Sequence, residues 1–389
     1  MKRSALGMIA IVLLASTAPA ALAADQQSSA YAGSTLSFDA QSNALVDYSV
    51  GGSTMAESIR VQSQSETDSS LGLGASADLG AVVNITGAAL SVDSSTDASA
   101  TVTSESGATM NAHDNGHGSL VIESGGSAQY VEVGLGAEAS AASESDSRVV
   151  VTNEDGTTGT FIVVGEGDVT VNEDDNVSAD VGSNGRLVFR SYTQTRSESD
   201  EQTEKLIADG TAAASVSLDG ESNTVVNYDD STTVNVTEDA DGTVSMTVER
   251  SQSQGKVVVT SVAESTFESA EDVQVQVDGE AAARASSYSE LESAANGGET
   301  SKFMVRQRSQ ASASADVLVG VNHFSERDVT MEDGGSESGS SGDGSSGDGS
   351  NSDGSDDTTE TSSGNGPGFG AIGALLGLIA GGAFLATRN

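Results

Sequence analysis

The sequence predicts an all-β protein: an elongated, repeat-built body, either a β-solenoid or stacked β-sandwich units. Three observations carry this. Short runs rich in Val, Thr, Ile and Phe alternate with Gly, Asn and Asp turns, as in TVSMTVE (243–249) and VQVQV (273–277); such runs read as strands with one buried face. No proline lies between Pro19 and Pro367, so the body loses no backbone donor to it. A short motif recurs along the chain at intervals that suit one repeated unit.

That motif is R-x-x-[ST]-Q, starting at Arg60, Arg190, Arg250 and Arg306, with a glycine five to eight residues before each arginine. The gaps are 130, 60 and 56 residues, the first about twice the others. A degenerate copy at 118–123 (GSLVIE) falls near the middle of the long gap. A second string recurs at 168–171 (DVTV), 233–236 (TVNV) and 328–331 (DVTM). About five copies of a ~60-residue unit, each burying its apolar face on its neighbours, account for this pattern. Tandem immunoglobulin-like domains are the second architecture. Small-residue stretches such as ASASADV (311–317) suit close packing of sheets.

The four segments differ in composition. Residues 1–23 (MKRSALGMIAIVLLASTAPAALA) have a positive start, an apolar stretch and a small-x-small end at Ala21 and Ala23. This is the pattern of a secretory signal peptide, cut by signal peptidase after Ala23; an uncleaved anchor is the alternative. Residues 24–332 are the β body. Residues 333–366 are almost wholly Gly, Ser, Asp, Thr and Glu, with eight acids and no base. Such a segment has nothing to bury and is expected to be a disordered stalk. Its 34 residues would span roughly 30–35 Å as a random coil.

Residues 367–389 (PGFGAIGALLGLIAGGAFLATRN) hold no acid and one base, Arg388. The 19 uncharged residues from Phe369 to Thr387 would make a helix of ~28 Å, close to the hydrocarbon thickness of a bilayer. Arg388 after the apolar run keeps that end cytoplasmic and the body outside. Pro367, Gly368 and Phe369, the apolar helix and the terminal base resemble the PGF-CTERM sorting signal of haloarchaeal surface proteins. The resemblance covers these 23 residues and the acidic linker before them, and says nothing of the body's fold. It implies processing by an archaeosortase and replacement of the tail by a lipid. A single base followed by Asn389, instead of a basic cluster, departs mildly from that pattern. A plain membrane span is the other reading, and both place the body at the cell surface.

Charge narrows the partners. The chain has 58 acids and 16 bases, a formal charge of −42. Such a charge strains a compact state at low salt, and is screened to a Debye length of ~3 Å in ~1 M salt. The composition resembles that of haloarchaeal proteins. Nucleic acid is excluded as a partner, because it is bound through basic surface. There is no cysteine, hence no disulfide, thiolate zinc site or cysteine nucleophile.

Little chemistry is legible. His113 and His117 stand four apart, but Asn115-Gly116 between them marks a turn, so they are expected as surface turn residues and no metal or cofactor is predicted. His323 stands alone. There is no G-x-S-x-G, Walker loop or HExxH, and no tryptophan to stack on a sugar. Acids are too frequent for a glycosidase pair to stand out. Asn84, Asn176 and Asn235 open N-x-[ST] sequons, candidate glycan sites on an exported protein. The motif arginines are read as a structural rung pairing with nearby carboxylates; a ladder for anionic sugars is the sharper alternative.

These readings converge on an exported, anchored surface protein of a halophile. Its expected role is structural, adhesive or envelope-associated, without catalysis, in contact with a surface layer or cell-surface glycans. The alternative is a surface-anchored glycan-active hydrolase or carbohydrate-binding protein.

Overall fold

The structure, a computed structural model, describes residues 29–334 except 72–77, 193–194, 219–222, 241, 264–265, 268, 270–271 and 308–313. The signal peptide, almost all of the expected stalk, and the tail with Pro367, Gly368 and Phe369 lie outside the described residues. Among the described residues no helix is long and apolar enough to cross a membrane.

The body is built of strands, as the alternation predicts. They form four open sheets. The first runs, edge to edge, Ser29–Ala32, Leu36–Ala40, Leu45–Val50, Ser53–Ser63, Gln129–Gly134, Val177–Val181, Gly167–Val171. The second runs Ala139–Ser145, Arg148–Asn153, Thr158–Val164, Arg186–Tyr192, Ser119–Glu123, Thr109–His113, Ser99–Ser104, Leu90–Ser95. These two face one another across a core of Leu36, Tyr48, Met55 and Ile59 from the first and Met110, Leu120, Phe161 and Phe189 from the second. The Phe161 and Phe189 rings lie 4.7 Å apart and Tyr48 meets Phe189 edge-on at 5.8 Å, a geometry that adds to simple area burial.

The third sheet runs Asn223–Asn227, Ala212–Leu218, Gln254–Ala263, Ser314–His323, Lys302–Gln307, Ala283–Arg284. The fourth runs Thr232–Ala240, Thr243–Arg250, Glu326–Glu332, Gln274–Val277, Glu280–Ala281. Val216, Val258, Val317 and Val319 of the third close on Val244, Met246, Val248 and Met331 of the fourth. The strand Thr243–Arg250 shows the cause plainly: Val244, Met246, Val248 and Arg250 are buried and the residues between them are not, so period-2 patterning sets the inward face. The chain therefore folds as two β-sandwiches. All strand pairs are antiparallel except Ala212–Leu218 with Gln254–Ala263 and Ala283–Arg284 with Lys302–Gln307. That pattern fits sandwiches and not the parallel coils of a solenoid.

A third core joins the sandwiches. Val121, Ile162 and Val188, on the outer face of the second sheet, share it with Val257, Val259 and Leu318 of the third. This explains why Thr158–Val164 and Arg186–Tyr192 are buried at every residue, whereas the edge strand Ala139–Ser145 is buried at none. Both faces of those central strands are covered, so strict alternation disappears.

Three α-helices interrupt the strands: α1 (Gln64–Leu71), α2 (Glu198–Ala208) and α3 (Tyr288–Ala295). A purely β body was expected, and these short helices are the departure from it. Ser197 caps α2 by accepting from Asp200 N–H, while the Asp200 side chain accepts from Ser197 N–H, a reciprocal capping box. Leu206 and Ile207 then turn into the third core. Ser287 caps α3, which contributes Leu291 and Ala295 to the same core. Gly255 permits the approach of α3: a Cβ there would lie 2.3 Å from the carbonyl oxygens of Ala295 and Val321. Asp333, the first residue of the expected stalk, still belongs to the body, donating its N–H to Gly242 O.

Candidate functional site: a polar cleft beside the third core

A cleft of about 440 Å³ opens where five segments meet. Its walls are residues 164–165 and 184–186 of the second sheet's turns, 208–210 at the C-terminus of α2, 228–231 after the third sheet's edge strand, and 250–256 between sheets four and three. The volume is within the usual range for small-ligand sites. The lining includes three cations, Arg186, Arg250 and Lys256, and three carboxylates, Asp209, Asp229 and Asp230. The numbers are equal here, in a chain with 58 acids and 16 bases.

Each cation is held from its own element. Arg186 opens its strand and points to the outer face; its Nε donates to Glu123 Oε1 (3.3 Å), its cross-strand partner, and its Nη2 to Asp230. Arg250 ends its strand, with Nη1 donating to Asp229 Oδ2 (3.0 Å) and Thr232 Oγ1 (3.3 Å), and Nη2 to Gln252 Oε1 (3.4 Å). Its Nε is buried and makes no hydrogen bond. Lys256 donates to the carbonyl of Gly210 just past α2. Burial, then the charge of Arg250, push the Lys256 ammonium below its usual range, with Asp229 only partly offsetting them.

A second polar group lies on the same face of the second sheet, wholly inside. The Glu204 carboxylate of α2 is fully buried. It accepts from Tyr192 Oη and Thr160 Oγ1 (2.8 Å each), from Arg196 Nε (2.8 Å) and from Arg148 Nη1 (3.3 Å). Arg196 also grips Glu144 with two bonds of 2.7 Å. The hydrogen bond from Arg196, against the opposing effect of burial, holds the Glu144 carboxyl below its usual range. With every oxygen of Glu204 engaged, this group reads as a structural tie between α2 and the second sheet.

The motif arginines lie in four different sheets: Arg60 in Ser53–Ser63, Arg190 in Arg186–Tyr192, Arg250 in Thr243–Arg250 and Arg306 in Lys302–Gln307. They do not stack into one ladder. Arg60 donates to Ser58 Oγ (3.1 Å), Arg190 to His117, and Arg306 lies 5.1 Å from the Tyr288 ring centre. Of the four, only Arg250 lines the cleft.

The histidines depart from expectation. His117 is 5% exposed, with Nδ1 2.9 Å from Ser191 O and Nε2 2.8 Å from Arg190 Nη2. It is an interior residue, because its turn folds under the second sheet's strand end. Burial pushes His113 down to about 4. The sequons separate as well. Asn235 and Thr237 are exposed on the fourth sheet's strand. Asn84 is tied through its side chain to Asp174 (2.9 Å). Asn176 accepts from Leu135 N–H (2.9 Å) with Ser178 fully buried beside it.

Sequence reasoning missed the cleft. Arg250 and Lys256 stand six residues apart, and Arg250 with Gln252 belongs to the recurring R-x-x-[ST]-Q motif, but Arg186 comes from 64 residues earlier and nothing in the spacing brings it to them.

No family model and no curated protein matches the chain. Among solved structures, it is similar to a mutant of a glycoside hydrolase family 81 enzyme from Clostridium thermocellum, with 10% identity and a TM-score of 0.36, over 77% of this chain and 34% of that one. The chain thus spans about a third of that enzyme's length. At this similarity neither activity nor substrate carries over. The expectation of a chain without catalysis is not carried forward, the structure it resembles being that of a hydrolase.

Proposed function

We propose that this is an exported surface protein of a halophile, anchored at its C-terminus, whose β body binds glycans. The observation that carries the binding reading is the cleft: a concave, charge-balanced site lined by Arg250, Gln252, Lys256, Asn184 and two adjacent aspartates. Fixed donors and acceptors set around a cavity are what orient a polyhydroxylated ligand. Elsewhere the acidic excess of the chain favours water and cations over a partner.

Export and anchoring rest on the two ends of the sequence: the signal-peptide pattern before Ala23, and the apolar tail after Pro367-Gly368-Phe369. A glycan-binding body carried on an acidic stalk would serve adhesion or attachment to the envelope. Hydrolysis of the bound glycan is the second reading, favoured by the carboxylates Asp209, Asp229 and Asp230 in the cleft wall; glycosidases work with two carboxyls roughly 5–10 Å apart.

The test is retention of the intact protein on immobilised glycans in ~2 M KCl, with reducing-sugar release followed in parallel. Retention that is lost on Gln252→Ala with Lys256→Gln supports the reading, and sugar release extends it to catalysis. Retention unchanged in that variant, or none at all, contradicts it.

A further inference from the structure

We propose that the cleft is built for a saccharide bearing acid groups, and that Asp230 is the chain's own stand-in for one of those groups at Arg186. This rests on the glycan-binding reading and names its ligand class.

The pairing of Arg186 with Asp230 is lopsided. The Arg186 side chain is 7% exposed and that of Asp230 81% exposed. An exposed carboxylate gains little from an ion pair and is readily rehydrated when it swings away. The guanidinium cannot follow it into water, and a buried cation left without its partner is costly. The position that Asp230 occupies is therefore one that an incoming carboxylate or sulfate can take at small cost. Glu123, on the other side of Arg186, stays in place in this exchange.

Arg250, also in the lining, asks for the same chemistry. Arg250 is 8% exposed, and its Nε donor is buried without an acceptor. Native structures leave few such donors unsatisfied, and an acid oxygen from a ligand would supply the missing partner. Lys256 beside it has its ammonium destabilised first by burial and then by Arg250, so an acid group reaching it would relieve both. Two cationic positions, Arg186 on Asp230 and Arg250 on the adjacent Asp229, offer more than one small anion would use and fit a saccharide with more than one acid group. Guanidinium groups suit carboxylate and sulfate oxygens alike through paired donors.

The setting sharpens the selectivity. Most of this chain repels anions. In concentrated salt that long-range repulsion is screened to a few ångströms, while partly buried pairs are screened much less. An acidic ligand can therefore approach this site under the conditions in which a halophile works.

The experiment is titration calorimetry on the full-length protein in ~2 M KCl at neutral pH. The titrants are an oligogalacturonate, a sulfated galactan oligosaccharide and the methyl-esterified, neutral form of the first. The expected result is binding of one or both acidic sugars at least ~10-fold tighter than the neutral one, each 1.4 kcal/mol being a factor of ten. The acidic arms tell carboxylate from sulfate. Asp230→Asn removes the stand-in charge and should tighten acidic binding by about 3–10-fold. Lys256→Gln should weaken it by about the same factor, and Arg186→Gln by more. Asp230 is exposed and Lys256 only partly buried, so the test stands on their variants even if Arg186→Gln does not fold. Weaker acidic binding by Asp230→Asn overturns the proposal. Equal binding of acidic and neutral sugars also ends it, while leaving the glycan-binding reading intact. No binding of any sugar ends both.

Discussion

Arg190 donates through Nη2 to Nε2 of His117 at 2.8 Å, both side chains lying within the body, while the other ring nitrogen meets the Ser191 carbonyl at 2.9 Å. A carbonyl only accepts, so Nδ1 carries the proton and Nε2 is the acceptor. A second proton on this ring would aim two positively charged donors at each other. The fold therefore requires neutral His117.

Acid lability follows, with His113 adding to it. Burial pushes His113 down to about 4 from an ordinary 6.5. The unfolded chain then binds a proton that the fold refuses, so stability rises with pH between those values. It is fully present above about pH 6.5 and falls as pH drops toward 4, by about 3 kcal/mol from His113 alone. Melting in ~3 M KCl between pH 7.5 and 4.5 checks this, with His113→Gln expected to flatten the slope. A melting point unchanged over that range would refute it.

Glu204 is the counterpart among the acids. It is fully buried and gathers Tyr192, Thr160, Arg148 and Arg196. Removing its carboxylate takes a buried partner from both arginines, which keep Glu144, and leaves the Tyr192 and Thr160 hydroxyls without their acceptor, at about 3–5 kcal/mol. Glu204→Ala is expected to lower stability by that amount in denaturant titrations at high salt, and Glu204→Gln by less. Glu290, paired with Lys302 at the surface (3.2 Å), is the control: Glu290→Gln should leave stability close to the parent's, far less affected than Glu204→Ala.

The three sequons are not equivalent. Asn235 stands open on a strand face, whereas Asn176 and the neighbouring Ser178 are engaged in the interior. Glycopeptide mapping of the protein from its own envelope should find Asn235 occupied ahead of Asn84, and Asn176 bare. Asn176 occupied and Asn235 bare would contradict this order.

Salt should act on the whole body. With 58 acids and 16 bases, self-repulsion is expected to lower the melting point steeply below ~0.5 M KCl and to leave it rising gently above ~1 M, where the Debye length is ~3 Å. Circular dichroism melts over a KCl series measure this; a melting point independent of salt would remove the halophile reading.

Much of this architecture can be read in the residues. Thr243–Arg250 and Gln274–Val277 announce themselves by period-2 alternation, and in both the valines face the core. The central strands Thr158–Val164 (TGTFIVV) and Arg186–Tyr192 (RLVFRSY) show no clean alternation, because both of their faces are covered and their polar residues are buried as well. The helix α2 carries its capping signal in Ser197 and Asp200, but at 11 residues it is stable through Leu206 and Ile207 in the third core, which no local pattern shows. The recurrence of R-x-x-[ST]-Q suggested one shared position; the arginines instead meet four different sheets, because a similar strand can be used in any of them. Part of the cleft, Arg250 to Lys256, lies in one short segment opened by a motif arginine, but Arg186 and the three aspartates join it only across a tertiary junction, of which the spacing along the chain carries no trace.

The most direct test of the central claim is a crystal structure of the protein grown at high salt and soaked with an acidic oligosaccharide. The account predicts sugar in the cleft, an acid oxygen within hydrogen-bond distance of Arg250 Nε, and Asp230 turned away from Arg186. Sugar bound elsewhere on the body, or a cleft unchanged with Asp230 still on Arg186, would contradict it.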